Sequence, residues 1–140
     1  MTLGSHGDSM IALPRHATAD GRPLPELVDQ PTLDRLFQRT RDGGAEIVAL
    51  LKKGSAYYAP SASITQMVEA IANDTHQVLP VCAWATGQYG IDDVYVGVPA
   101  KLGRGGVEEI VELDLSDEEL AALRAAAEGI RAKCADLDQL

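Results

Sequence analysis

The sequence predicts a segregated α+β fold, in which long helices and an antiparallel sheet occupy separate stretches of the chain. Apolar residues first recur at three- and four-residue steps, roughly between positions 32 and 71. Strand-like runs rich in valine and isoleucine follow from position 76, and a capped amphipathic helix comes last. No GxGxxG motif follows a predicted strand. The residues therefore predict no nucleotide-binding βαβ unit.

The composition is that of an acidic globular domain. The chain has 140 residues, enough for one domain with a real core, and a formal net charge of −9. Nucleic acid and anionic membrane surfaces are poor partners because both require a basic patch. Cys82 and Cys134 form no CxxC pair, and the apolar runs are too short to span a bilayer. We expect a cytoplasmic protein without a zinc or redox motif.

The predicted elements begin after an irregular, turn-rich stretch of thirty residues. Within it, "SMIALPRHA" is a short strand that Pro14 restricts to a strand end or edge. A helix is predicted from Thr32 to Lys53, and its apolar face holds Leu33, Leu36, Phe37, Thr40, Gly44, Ile47 and Leu51. Gly43-Gly44 predicts a kink or a close helix contact, since glycine costs about 1 kcal/mol relative to alanine in a helix.

A second helix is predicted after "SAYYAP" and ends at Asn73-Asp74. Its buried stripe is expected to be Ile64, Met67, Val68 and Ile71. The runs "HQVLPVCAWA", "DDVYVGVPAKLG" and "GVEEIVELDL" then predict three strands of an antiparallel meander, with "GRGG" as a turn.

The last helix carries the clearest local signals. Ser116 and Glu119 have the spacing of a capping box, and Asp117 adds negative charge to the first turn. The apolar stripe comprises Leu120, Leu123, Ala127 and Ile130.

The segment "LGSHGDSM" contains the first candidate site residue, His6. Glycines on both sides give the backbone wide conformational freedom, and histidine exchanges protons near neutral pH. His6 is therefore a candidate general acid/base, and the alternative is a terminal-loop histidine without a role. Asp8 is more simply a partner of nearby backbone amides. His6, Asp8 and His16 lack the ligand spacing of zinc sites, so no metal site is predicted.

The segment "GSAYYAPSAS" is the second candidate. It combines small residues with two tyrosines at a helix junction. Close helix packing with Tyr57 and Tyr58 half-buried explains it, and so does a pocket wall where small side chains leave room for a ligand. His76 is expected to be solvated beside a turn. The acidic residues Glu108, Glu109 and Glu112 are expected on exposed strand and turn positions.

Three longer stretches carry a resemblance to a known family. These are "LGSHGDSM", "RTRDGGAEIVALLKKGSAYYAPSASITQMVEAI" and "YGIDDVYVGVPAKLGRGGVEEIVELDLSDEE". Together they resemble the C-terminal catalytic domain of the lactate/malate dehydrogenase family, most narrowly its lactate-dehydrogenase-like malate dehydrogenases. The resemblance covers residues 1–140 and implies an antiparallel sheet packed with long helices.

The resemblance implies specific roles. His6 matches the family's catalytic histidine, which exchanges a proton with the C2 oxygen of malate or oxaloacetate while hydride moves to or from NAD. Ser55 and Ala56 match pocket-lining residues without chemistry. The helices over 32–71 resemble those of a dimer interface, which implies a homodimer or homotetramer. The resemblance further implies a reaction of the tricarboxylic acid cycle.

The family's NAD-binding Rossmann domain has no counterpart in these residues. That half also supplies the carboxylate that orients the histidine and the arginine that binds the substrate carboxylate. We therefore expect the isolated chain to be inactive. Two alternatives stay open: an interaction module that self-associates or pairs with a nucleotide-binding partner, and a domain specific for lactate or another 2-hydroxy acid.

Overall fold

The computed structural model describes residues 1–7 and 9–139. Its strands and helices follow the predicted order of helix, helix, strands and helix. The longer elements are α1 (Gln30–Leu51), α2 (Tyr58–Ala72), β5 (Gln77–Thr86), β6 (Asp92–Gly103), β7 (Gly106–Ile110) and α3 (Asp117–Ala135). Four short strands precede them: β1 (Thr2–Gly4), β2 (Met10–Ala12), β3 (Thr18–Ala19) and β4 (Arg22–Pro23). None of the helices in the described residues is long and apolar enough to cross a membrane.

The chain divides into two compact units. The first contains Met1 and residues 12–66, and the second contains residues 2–11 and the chain from Met67 onward. The second unit holds the main sheet, with strand order β2-β1-β6-β5 and β7 paired with β6. The antiparallel pairs β5–β6 and β6–β7 confirm the predicted meander, although its third strand ends at Ile110 and not at Leu115.

The core of the second unit lies between the sheet and α3. Every second residue of β5 is buried from Leu79 to Ala85, as alternation across a pleated strand requires. Val96 and Val98 of β6 are buried, and α3, which packs against β6, contributes Leu123 and Ala127. The predicted stripe of the last helix therefore faces this core.

The start of α3 is fixed by the predicted capping box. The Ser116 Oγ accepts a hydrogen bond from the Glu119 N–H at 3.2 Å, and the Glu119 carboxylate accepts one from the Ser116 N–H at 2.8 Å. Two of the free N–H groups at this helix end are thereby satisfied.

Tyr89 ties the β5–β6 connection to the segment before α3. Its hydroxyl accepts a hydrogen bond from the Leu113 N–H at 2.8 Å and donates one to the Val111 carbonyl at 3.1 Å. Its backbone N–H donates to Glu112 at 2.6 Å, and its carbonyl accepts from the Arg124 guanidinium at 2.8 Å. One buried residue thus joins the sheet, the following loop and α3.

The first unit is organised around α1, which begins two residues before the predicted start. Asp29 caps it by accepting a hydrogen bond from the Thr32 N–H at 3.0 Å, and hydrogen bonding from Thr32 lowers the pKa of this carboxyl. At the other end Lys52 adopts a left-handed φ of 63° and its N–H donates to Val48. The helix therefore ends within two residues of the predicted end at Lys53.

Two expectations about the helices differ from the structure. The α1 helix continues without interruption through Gly43-Gly44, and no other part of the described chain comes within 4 Å of a Cβ built at either glycine. The expected buried stripe of α2 is wrong at Ile64 and Val68, which are each 56% exposed, whereas Met67 and Ile71 are half-buried. Periodicity identifies the apolar face of a helix, but it carries no information on what covers that face.

The expected half-burial of the two tyrosines before and at the start of α2 is wrong as well. Tyr57 is exposed and Tyr58 is 91% exposed. An aromatic side chain that begins a helix is buried only when another element covers it.

A first prediction concerns Tyr89. We expect Tyr89→Phe to lower the free energy of unfolding by roughly 1–2 kcal/mol at neutral pH, because the Leu113 N–H and Val111 carbonyl lose a partner. Burial raises the pKa of Tyr89 above its ordinary value. The native protein therefore loses stability as pH rises above 10, where the unfolded state ionises first, and the variant lacks this loss.

Urea unfolding measures both effects when it is carried out at neutral pH and again at a pH about one unit above the ordinary pKa of tyrosine. Tyr58→Phe is the control because its side chain is exposed. Equal stability of the two variants at both pH values would contradict the role assigned to Tyr89.

Candidate catalytic loop

His6 lies in the tight loop between β1 and β2. The preceding strand, β1, pairs antiparallel with β6 through the partners Gly4 and Gly97. After His6, the Met10 N–H donates to the Gly7 carbonyl at 2.9 Å and closes a turn. The His6 side chain is exposed. The main sheet thus anchors the loop on both sides and leaves the imidazole accessible to a reactant.

A close approach of two backbones fixes the root of this loop. A Cβ built at Gly97 would lie 2.4 Å from the Gly4 carbonyl oxygen, a separation that real side chains do not reach. Gly4 itself has φ +85°, and a Cβ there would lie 3.1 Å from the Ile11 side chain and 3.2 Å from the Ser9 carbonyl. Only glycine fits at Gly97, and glycine is strongly favoured at Gly4.

No hydrogen bond or ion pair with another described residue orients the His6 ring. Asp8, expected to bond nearby amides, lies outside the described residues. His16 belongs to a short 3₁₀ turn, Pro14–His16, in the first unit. Among the residues that the structure describes, no group of three metal ligands includes His6 or His16. The loop offers one accessible imidazole, which can accept or donate a proton.

Ser55 and Ala56 lie between α1 and α2 in the first unit. Ser55 is exposed and Ala56 is half-buried. Just before them, Gly54 has φ +87°, and a Cβ there would lie 3.1 Å from the Tyr57 hydroxyl. The segment is a tight helix connection, and the pocket-lining role of Ser55 and Ala56 stays a prediction.

The second unit thus combines an antiparallel sheet with a loop that presents an exposed histidine. Residues 1–139 match the family model described as the lactate/malate dehydrogenase, alpha/beta C-terminal domain. The chain belongs to this family. The family and the fold expected from the sequence are therefore confirmed.

The most similar curated relatives include two malate dehydrogenases. The protein of Roseiflexus castenholzii is 51% identical over 140 residues, covering 100% of this chain and 45% of that protein. The protein of Methanosarcina mazei is 53% identical over 131 residues, covering 94% of this chain and 43% of that protein. The chain thus spans less than half the length of these relatives.

Solved structures show the same similarity. The malate dehydrogenase of Salinibacter ruber has a TM-score of 0.96 at 44% identity, covering 100% of this chain and 46% of that one. The lactate dehydrogenase of Eimeria maxima, solved with NADH and oxamate, has a TM-score of 0.91 at 35% identity, covering 99% of this chain and 46% of that one.

Sequence reasoning identified His6 but missed the glycine pair that positions it. Gly97 interrupts a valine-rich strand, and a glycine inside a strand often marks a close backbone approach. That signal was available in the sequence. Its partner, Gly4, belongs to a strand of three residues, which is too short for any periodicity.

A second prediction tests this anchor. We expect Gly97→Ala to lower the free energy of unfolding by about 1–3 kcal/mol, because the new methyl group overlaps the Gly4 carbonyl and forces β1 away from β6. Hydrogen exchange of the amides in β1 should accelerate in parallel.

The control is Gly105→Ala in the β6–β7 turn, where a Cβ meets nothing within 4 Å and φ is not positive. If the two variants have equal unfolding midpoints and equal exchange in β1, the close approach does not anchor the loop.

Proposed function

We propose that this chain is the substrate domain of an NAD-dependent malate dehydrogenase, and that His6 is its catalytic acid/base. The observation that carries the proposal is the position of His6, which is exposed on a loop that β1 and β6 anchor through Gly4 and Gly97. The similarity to malate dehydrogenases along the whole chain supports the choice of substrate.

In the proposed reaction, His6 acts on one proton. When malate is oxidised, an imidazole nitrogen accepts the proton of the C2 hydroxyl; when oxaloacetate is reduced, the imidazolium returns it to the carbonyl oxygen. NAD supplies hydride chemistry at C2 when it is bound. The described residues do not fit this cofactor, because their main sheet pairs antiparallel and contains no parallel βαβ unit.

We also propose that the 140-residue chain alone has no dehydrogenase activity. No described side chain orients the His6 ring, and residues 2–11 contain no arginine or lysine to bind a substrate carboxylate. A preparation of the chain and its His6→Ala variant should oxidise NADH with oxaloacetate at the same background rate. Activity that only the unmutated chain shows would refute this.

A third prediction tests the role of His6 itself. We expect a chimera to be active when this chain replaces the corresponding C-terminal portion of the Roseiflexus castenholzii malate dehydrogenase, to which it is 51% identical. His6→Asn should then lower kcat by roughly 10²–10⁴-fold, the typical contribution of general acid–base catalysis. Rates with oxaloacetate and NADH measure the effect.

The control in the chimera is Gly105→Ala in the β6–β7 turn, where a Cβ meets nothing within 4 Å and φ is not positive. A comparable loss of activity in both variants would show that His6 has no special role. Faster turnover of pyruvate than of oxaloacetate would favour the alternative of a lactate-specific domain.

We further propose that the apolar faces of α1 and α2 form an interface between two copies of the chain. Both helices carry large apolar side chains that are exposed: Leu36, Ile47, Val48, Leu50, Leu51, Tyr58, Ile64 and Val68. Large apolar side chains exposed on a helix favour association with another surface. A homodimer, or a homotetramer built from it, would cover these faces.

A fourth prediction follows. Ile64→Asp combined with Val68→Asp should weaken self-association by about thirtyfold or more, since an interface cannot bury unpaired carboxylates. The control is Gln66→Asp, which lies about 200° around the helix from both positions. Sedimentation velocity over a range of concentrations measures the association. A chain that is monomeric throughout would instead favour a separate nucleotide-binding partner for these faces.

A further inference from the structure

A second group of ionisable side chains lies away from the catalytic loop. Asp74 follows α2, His76 precedes β5, and Glu108 lies in β7. One imidazole nitrogen and one oxygen of each carboxylate lie within 4.8 Å of one another. Two separate segments of the second unit, the α2–β5 turn and β7, therefore bring three ligand atoms close together.

Hydrogen bonds already hold this group in place. The His76 Nδ1 lies 2.7 Å from the Glu108 carboxylate, while the Nε2 faces Asp74 Oδ1 at 3.8 Å. The Arg104 N–H donates to the same Asp74 oxygen at 2.7 Å, which fixes that carboxylate against the β6–β7 turn. The side chains are partly exposed, so a solvated ion can reach them.

The donor set matches a divalent transition metal. Two carboxylates carry two negative charges that a divalent cation neutralises, and a neutral imidazole favours zinc over magnesium or calcium. Zinc bonds of about 2.0–2.2 Å place tetrahedral ligands roughly 3.3 Å apart. The three ligand atoms now lie within 4.8 Å of one another, so the exposed side chains must turn to place one imidazole nitrogen and both carboxylates at this distance.

We propose that Asp74, His76 and Glu108 bind one Zn²⁺ ion, with water completing its coordination. The ion would join the α2–β5 turn to the β6–β7 hairpin, two segments that hydrogen bonds of Asp74 and Glu108 already connect. Bound zinc then stabilises the second unit, because it binds the folded ligand set and not the separated residues of the unfolded chain.

The test uses the full chain without an affinity tag, with Cys82→Ser and Cys134→Ser in every sample, because both thiols are exposed and bind zinc themselves. Calorimetric titration with ZnCl₂ should show one ion per chain and a raised unfolding temperature. His76→Asn and Glu108→Gln should each weaken binding by roughly ten- to hundredfold. His6→Asn, which removes an exposed imidazole elsewhere, should leave it unchanged.

Two further measurements test the charge of the site and its preference for zinc. Arg104→Ala removes a cation whose Nε lies 3.9 Å from Asp74 but keeps the backbone donor, and should strengthen zinc binding about two- to fivefold. MgCl₂ should give no saturable binding.

The proposal is overturned if zinc does not bind, if binding survives in His76→Asn, or if His6→Asn abolishes it. Glu108→Gln removes a ligand charge but keeps the side chain's size. The circular dichroism spectrum of each variant, expected to match that of the native chain, shows that the fold is retained. None of these outcomes depends on dehydrogenase activity, so the zinc site and the proposed function are tested separately.

Discussion

The close approach of the Gly4 and Gly97 backbones is the constraint on which the candidate site depends. No side chain fits at Gly97, where a Cβ would lie 2.4 Å from the Gly4 carbonyl oxygen. This contact lets β1 lie against the middle of β6, the strand that also pairs with β5 and β7. A strand of three residues is stable only when a neighbouring strand pairs with it. Its pairing with the best-buried strand gives the histidine loop a fixed origin.

The α3 helix packs next to the Gly4–Gly97 contact. A Cβ at Gly4 would lie 3.4 Å from the Cβ of Ala126, so the helix passes close to the root of the loop. The capping box and the Arg124 bond to Tyr89 fix where this helix begins and how it lies on the sheet. Features far from His6 in sequence therefore decide its position. A substitution in α3 can disturb the loop without contacting the histidine.

Local signals in the sequence predicted the parts of the fold that local physics determines. The three strands of the meander, the capping box at Ser116 and the end of α1 at Lys52 follow from periodicity, turn residues and helix termini. The pairing of β1 could not be predicted because a three-residue strand has no pattern. The hydrogen bonds of Tyr89 and the contact between His76 and Glu108 join residues more than twenty positions apart. The residues alone left the role of His6 open, and the catalytic role that the resemblance implies stays a proposal.

Under the proposed function, this chain positions the catalytic histidine, and groups outside these residues bind the substrate carboxylates. A dicarboxylate substrate needs cations, yet the chain carries a net charge of −9 and residues 2–11 contain no lysine or arginine. An accessible imidazole that no other described side chain orients transfers protons, but with little preference for one orientation of the substrate. In a site that is assembled from two parts, the Gly4–Gly97 contact still matters because it fixes where the His6 loop begins. Groups added from outside these residues can act on His6 only if its loop already occupies a reproducible place, and the glycine contact provides that place.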